Sequence, residues 1–126
     1  MGIFDGLMGN ASEISADQAQ QEFGHLLASS ERIEKSYVLI RDLFLFTNKR
    51  LILVDKQGLT GKKVSYLSIP YHSITRFSIE TAGHFDLDAE LNIWVSGQEM
   101  PIVQKQFNKK LNIYDLQSVL AEYVLR

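Results

Sequence analysis

The chain has 126 residues, a formal net charge of −2, 45% apolar and 22% charged residues, and no cysteine. That length gives one hydrophobic core of ordinary size, and the composition excludes disordered, collagen-like and coiled-coil classes. The charge supplies no global basic field for nucleic acid, and the absence of thiols excludes disulfides, thiolate metal sites and cysteine nucleophiles.

The first residues, MGIFDGLMGNAS, carry neither a basic n-region nor an apolar h-region, so no secretory signal is expected. Gly6 stands where a myristoylation signal needs Ser or Thr. No apolar run approaches the ~20 residues of a membrane helix. These features, with the lack of cysteine, point to the cytoplasm. Ile3, Phe4, Leu7 and Met8 are spaced as a short amphipathic turn. Ser15-Ala16-Asp17-Gln18 then reads as a capping box. Ala16, Ala19, Phe23, Leu26 and Leu27 follow at helical spacing, giving a helix with one apolar stripe that ends near Ser29 and Ser30.

From Ile33 the period changes to two. Strands are expected over residues 33–40, 43–46 and 51–54, the last two joined by a turn at Asn48-Lys49. Further strands are expected at 64–69, 74–80, 85–96 and 99–107, with Pro70 and Pro101 marking ends or bulges. In FDLDAELNIWVS, Phe85, Leu87, Ala89, Leu91, Ile93 and Val95 share one face, and Asp86, Asp88, Glu90, Asn92, Trp94 and Ser96 the other. Asn112 as N-cap and Ile113, Leu116, Leu120, Tyr123 and Val124 as an apolar stripe predict a C-terminal helix.

One stretch breaks the simple pattern. In RDLFLFTNKRLILVD, Phe44 and Phe46 oppose Leu43 and Leu45, while Ile52 and Val54 oppose Leu51 and Leu53, so both faces of the hairpin are apolar. The second face, assigned to Phe44, Phe46, Ile52 and Val54, needs cover from the N-terminal helix or from a neighbouring subunit.

Seven antiparallel strands followed by a helix resemble a pleckstrin-homology-like barrel or sandwich capped by its C-terminal helix, a mainly β fold with flanking helices. FTNKRLILVDKQGLTGKK, SIPYHSITRFSIETAG and FDLDAELNIWVSG are similar to signature stretches of the bacterial PH domain family. The resemblance covers residues 31–126, with residues 1–30 as an N-terminal helical extension. It implies a non-enzymatic module without cofactor or assigned role, and ring-like homo-oligomers built through sheet edges and faces.

Lys49, Arg50, Lys62 and Lys63 are the candidate anion-binding residues for a peripheral membrane or phosphorylated-ligand role, which is the alternative to a self-assembling, protein- or peptide-binding one. GLTGKK at 58–63 lacks the spacing of a phosphate loop and reads as a hairpin connection. Asp86, Asp88 and Glu90 step by roughly 6 to 7 Å along one strand face, too far apart to chelate one ion unaided, so no metal is expected and Arg76 is the expected ion-pair partner. Trp94 breaks that polar face, which makes Phe44, Phe46, Arg76, Asp86, Asp88, Glu90 and Trp94 the candidate oligomer or ligand surface. His25, His72 and His84 are scattered without metal-ligand spacing, and no nucleophile elbow is present.

Overall fold

The computed structural model describes residues 12–39, 42–57, 63–81, 88–108 and 113–126. They form eight strands and two helices: β1 (Ser12–Ile14), α1 (Ala16–Phe23), β2 (Ile33–Val38), β3 (Asp42–Thr47), β4 (Arg50–Gln57), β5 (Lys63–Pro70), β6 (Ile74–Thr81), β7 (Asp88–Val95), β8 (Val103–Asn108) and α2 (Ile113–Val124). Pairing produces two separate antiparallel sheets, β1-β2-β3-β4-β5 and β6-β7-β8, rather than one closed barrel. The chain divides into two compact units, Met1–Ile69 and Pro70–Arg126.

In the first unit α1 starts as the capping box predicts. The Ser15 hydroxyl accepts from the amides of Asp17 (3.2 Å) and Gln18 (3.4 Å), satisfying donors that the first helical turn leaves unpaired. The helix is shorter than its apolar stripe, because Gly24–Leu26 tighten into a 3₁₀ turn. All five stripe residues nevertheless reach one cluster, where Ala16, Ala19, Phe23, Leu26 and Leu27 meet Ile33, Val38, Leu43, Leu45, Ile52 and Val54 of the sheet. Gln20 fixes the helix on β2 by accepting from the Ile33 amide at 3.0 Å.

This packing corrects the assignment of the hairpin faces. In the β3–β4 register Leu43 lies opposite Val54, Phe44 opposite Leu53, Leu45 opposite Ile52 and Phe46 opposite Leu51. Residues directly opposite in an antiparallel pair point to the same side, so Ile52 and Val54 belong with Leu43 and Leu45, under α1. Phe44 and Phe46 occupy the other face with Leu51 and Leu53, and both rings are 0% exposed within the single chain. The Tyr37 ring meets Phe46 edge-on, with centroids 6.0 Å apart. Phe44 and Phe46 are therefore core residues and not part of an oligomer or ligand surface.

Two further expectations change. The β1 strand, paired with β2 from Ser12 opposite Val38 to Ile14 opposite Ser36, adds an eighth strand to the seven predicted. Its three residues are too few to show a period. The expected turn of 3–8 lies outside the described residues. The Asn48-Lys49 turn forms without positive φ at either residue. Asn48 instead acts through its side chain, which accepts from the Arg32 amide (2.8 Å) and donates to the Ser30 carbonyl (3.1 Å).

In the second unit β7 is the central strand; Ala89, Leu91 and Ile93 are buried as the sequence predicts, while Asn92 of the opposite face is buried as well and Val95 is only partly buried. A bulge between Ile74 and Arg76 shifts β6 by one residue, so Ile74 pairs with Val95 and joins the face of Phe77 and Ile79 instead of opposing it. β8 starts at Val103 rather than near Glu99, because Pro101 has no N–H to give a ladder. Helix α2 buries Ile113, Leu116, Leu120 and Tyr123. Tyr123 stacks on Tyr71 at 5.0 Å, in the 3₁₀ turn before β6. Asn112, the expected N-cap, lies outside the described residues. Gly97 closes the β7 end with φ +79. A Cβ added there would meet nothing within 4 Å, so Gly97→Ala is expected to cost only the left-handed backbone penalty, ~1–2 kcal/mol, as read from a urea-denaturation midpoint.

Candidate interaction surface

Register assembles the outward face of the three-stranded sheet. Arg76 lies opposite Trp94, Ser78 opposite Asn92, and Glu80 opposite Glu90. On the other side of β7, Asn92 lies opposite Gln104 and Glu90 opposite Gln106. The face thus has a cation and an indole at one end, amides in the middle and carboxylates at the other.

Among the described residues Arg76 makes no ion pair. Its guanidinium lies over the Trp94 ring, 4.4 Å from the centroid, in a cation–π arrangement. The β6 bulge brings Arg76 level with residue 94 and so beside the indole. Glu90 is held by amides: Asn92 Nδ2 donates to Oε1 at 3.0 Å and Gln104 Nε2 donates to the same oxygen at 3.3 Å. The hydrogen bonds from Asn92, Gln104 and Gln106 outweigh partial desolvation and keep the Glu90 carboxyl below its usual range. These amide donors let Glu90 face Glu80 while ionised. Asp88 opens β7 two residues before Glu90 and so shares its face by register, and Asp86 lies outside the described residues. Among the described residues no group of three or more His, Asp or Glu side chains is placed to hold a metal ion.

The basic candidates are not brought together into one described site. Lys49 sits in the β3–β4 turn, Lys63 is exposed at the start of β5, and Lys62 lies outside the described residues. The 58–63 stretch connects β4 to β5, neighbours in one sheet, as a hairpin connection does. Arg50 is committed elsewhere. Its Nε donates to Glu31 Oε2 (2.9 Å) and its Nη2 to Glu31 Oε1 (3.0 Å). Nη2 also donates to the Leu26 carbonyl (2.9 Å), and Nη1 to Ser68 Oγ (2.8 Å). The guanidinium ties the exit of α1 to β4 and β5, so Arg50 is a structural residue and not an anion-binding one.

Glu31 completes that knot. It also accepts from Thr47 Oγ1 (2.6 Å) and from the Ala28 amide (3.0 Å), and its side chain is 1% exposed. Burial alone pushes its carboxyl up; the bonds from Arg50, Thr47 and Ala28 and the Arg50 charge more than offset this and hold it at about 2. A carboxyl lowered on folding stabilises the protein above its unfolded pKa, and that stability is lost as pH falls toward the folded value. Thermal stability is expected to decline between about pH 5 and pH 2 by up to ~3 kcal/mol through this group, a slope that Glu31→Gln removes in acid-titration scans.

No sequence signal marked Glu31, which lies 19 positions from Arg50. A model of the bacterial PH domain matches residues 2–124. The chain belongs to the bacterial PH domain family. Among its bacterial PH relatives, the Bacillus subtilis protein YjqA, described as uncharacterized, is 60% identical over 121 residues, covering 96% of this chain and 97% of YjqA. A crystal structure of a DUF1696-family protein with a pleckstrin-homology domain from Shewanella loihica is 50% identical, with TM-score 0.79, covering 92% of this chain and 98% of that one. A pleckstrin homology domain from Shewanella amazonensis is 46% identical, with TM-score 0.80 over 89% and 100% of the two chains. The bacterial PH fold expected from the sequence is thereby shown, and the family match includes the α1 segment. No helix among the described residues is long and apolar enough to cross a membrane.

Proposed function

We propose that this bacterial PH chain is a non-enzymatic, self-assembling scaffold of the cytoplasm that binds other proteins or peptides. The observation carrying the assembly part is β5, an eight-residue strand that ends the five-stranded sheet. A terminal strand of that length offers a row of backbone donors and acceptors to another strand, the geometry of β-augmentation. Tyr66, midway along it, is 46% exposed and supplies aromatic area of the kind that anchors interfaces. Burial of Phe44 and Phe46 moves the source of assembly from the apolar hairpin to this edge. The binding part is supported by the Arg76–Trp94 end of the second sheet, where a large aromatic ring remains partly exposed.

Light scattering and native mass spectrometry of the purified chain at micromolar concentration test the assembly. The expected particle is a closed multiple of the subunit mass, and Tyr66→Glu lowers its stability. A single-subunit particle throughout that range overturns self-assembly.

A further inference from the structure

We infer that the outward face of the three-stranded sheet binds a short extended segment of a partner protein that carries an acidic residue and, four positions away, a basic one. The inference rests on the reading of the chain as a protein-binding module and gives that module a ligand class. Arg76 is exposed, stacks on Trp94 and has no ion-pair partner among the described residues. The cation–π contact places the guanidinium over the ring while its N–H donors remain for an acceptor, and a guanidinium can receive a carboxylate in two parallel bonds. Glu80, four residues along the same strand and exposed, faces the same way. Its charge is reinforced by Glu90 opposite, kept ionised by its amide donors.

Four residues of extended chain span ~13 Å in protein and ligand alike, so one peptide strand lying along β6 and β7 presents an acid to Arg76 and a base to Glu80 at matching intervals. Between them the partly exposed Ser78 gives a polar middle, with Asn92 opposite it buried and donating to Glu90. Ile102, 42% exposed, lies at the Trp94 end, where its amide donates to the Ile93 carbonyl at 2.8 Å, and it supplies exposed apolar area at that end. Size separates a peptide from a second copy. Three strands at ~4.8 Å spacing over ~13 Å of length make a face on the order of 200 Å², well below the roughly 800 Å² per partner of a stable protein interface.

The chain has one tryptophan, so Trp94 emission reports directly on this face. The probe is the peptide acetyl-Ser-Asp-Thr-Val-Thr-Lys-Ser-amide, titrated at low salt with calorimetry alongside fluorescence. Saturable binding with a change in Trp94 emission is expected, at least tenfold weaker when Asp and Lys are replaced by Asn and Gln. Arg76→Gln should weaken it similarly, and Arg76→Glu should shift preference to the version with Lys at both positions. Absence of saturable binding by every charge-patterned peptide, or binding indifferent to both Arg76 substitutions, overturns the inference. Trp94 emission that depends on protein concentration alone and stops doing so in Arg76→Glu makes a second copy the occupant, which also overturns it while leaving self-assembly intact. A chain that stays monomeric yet binds the peptide as described supports the inference and removes self-assembly.

Discussion

Glu31→Ala is expected to destabilise the protein by ~3–5 kcal/mol, the usual cost of removing one partner from a buried ion pair. The magnitude follows from what the substitution leaves behind. Arg50 keeps its Leu26 carbonyl and Ser68 hydroxyl as acceptors but loses both carboxylate oxygens. The Ala28 amide and Thr47 hydroxyl lose an acceptor in the same step. The measurement is guanidinium or urea unfolding at neutral pH, where a loss below ~1 kcal/mol would show the knot to be dispensable. Arg50→Ala should cost a similar amount, and the double substitution less than the sum, because removing both charges leaves neither stranded. Weak binding to anionic vesicles by Arg50 variants would consequently report unfolding rather than a lost lipid contact, a distinction that circular dichroism of the same samples makes.

Phe23→Ala is the second large effect, expected at ~3–5 kcal/mol. Phe23 is 4% exposed and fills the cluster beneath α1 with Leu43, Leu45, Ile52 and Val54. Truncating it opens a cavity against the two strands whose greasy double face first demanded explanation. If α1 were a detachable extension, the same substitution would leave unfolding nearly unchanged and alter only the exchange of amides in 16–27. The exposed helix position Gln21 serves as the control, since Gln21→Ala at the surface should fall within ~0.5 kcal/mol.

What the sequence discloses here depends on whether the relevant period is local. The α1 stripe, the β7 alternation and the α2 stripe repeat often enough within one element to identify type and buried face, and the structure places each accordingly. The hairpin faces were different. Knowing that Phe44 opposes Leu45 says nothing about whether it sides with Leu53 or Val54; that depends on register, which the two-residue turn sets and composition does not reveal. The Thr75 bulge is a similar case: one unpaired residue reverses the side on which Ile74 points. In the sequence Arg50 reads as a turn base and nothing singles out Glu31. Only the fold, by returning β4 beneath the exit of α1, turns them into a buried pair. The outward face of the second sheet was legible in part: Glu90, Trp94 and Arg76 were marked as surface candidates, while the stacking of Arg76 on Trp94 required the bulge.

The family's fold leaves function to edges and faces, and β5 is the edge on which the proposed assembly depends. Hydrogen exchange of residues 63–70, followed by mass spectrometry at high and low protein concentration, tests this most directly. The account predicts strong protection of that peptide in the assembled state, lost on dilution and in Tyr66→Glu, while the β3 and β7 peptides stay protected throughout. Exchange at 63–70 that is the same at every concentration and in the variant would contradict it.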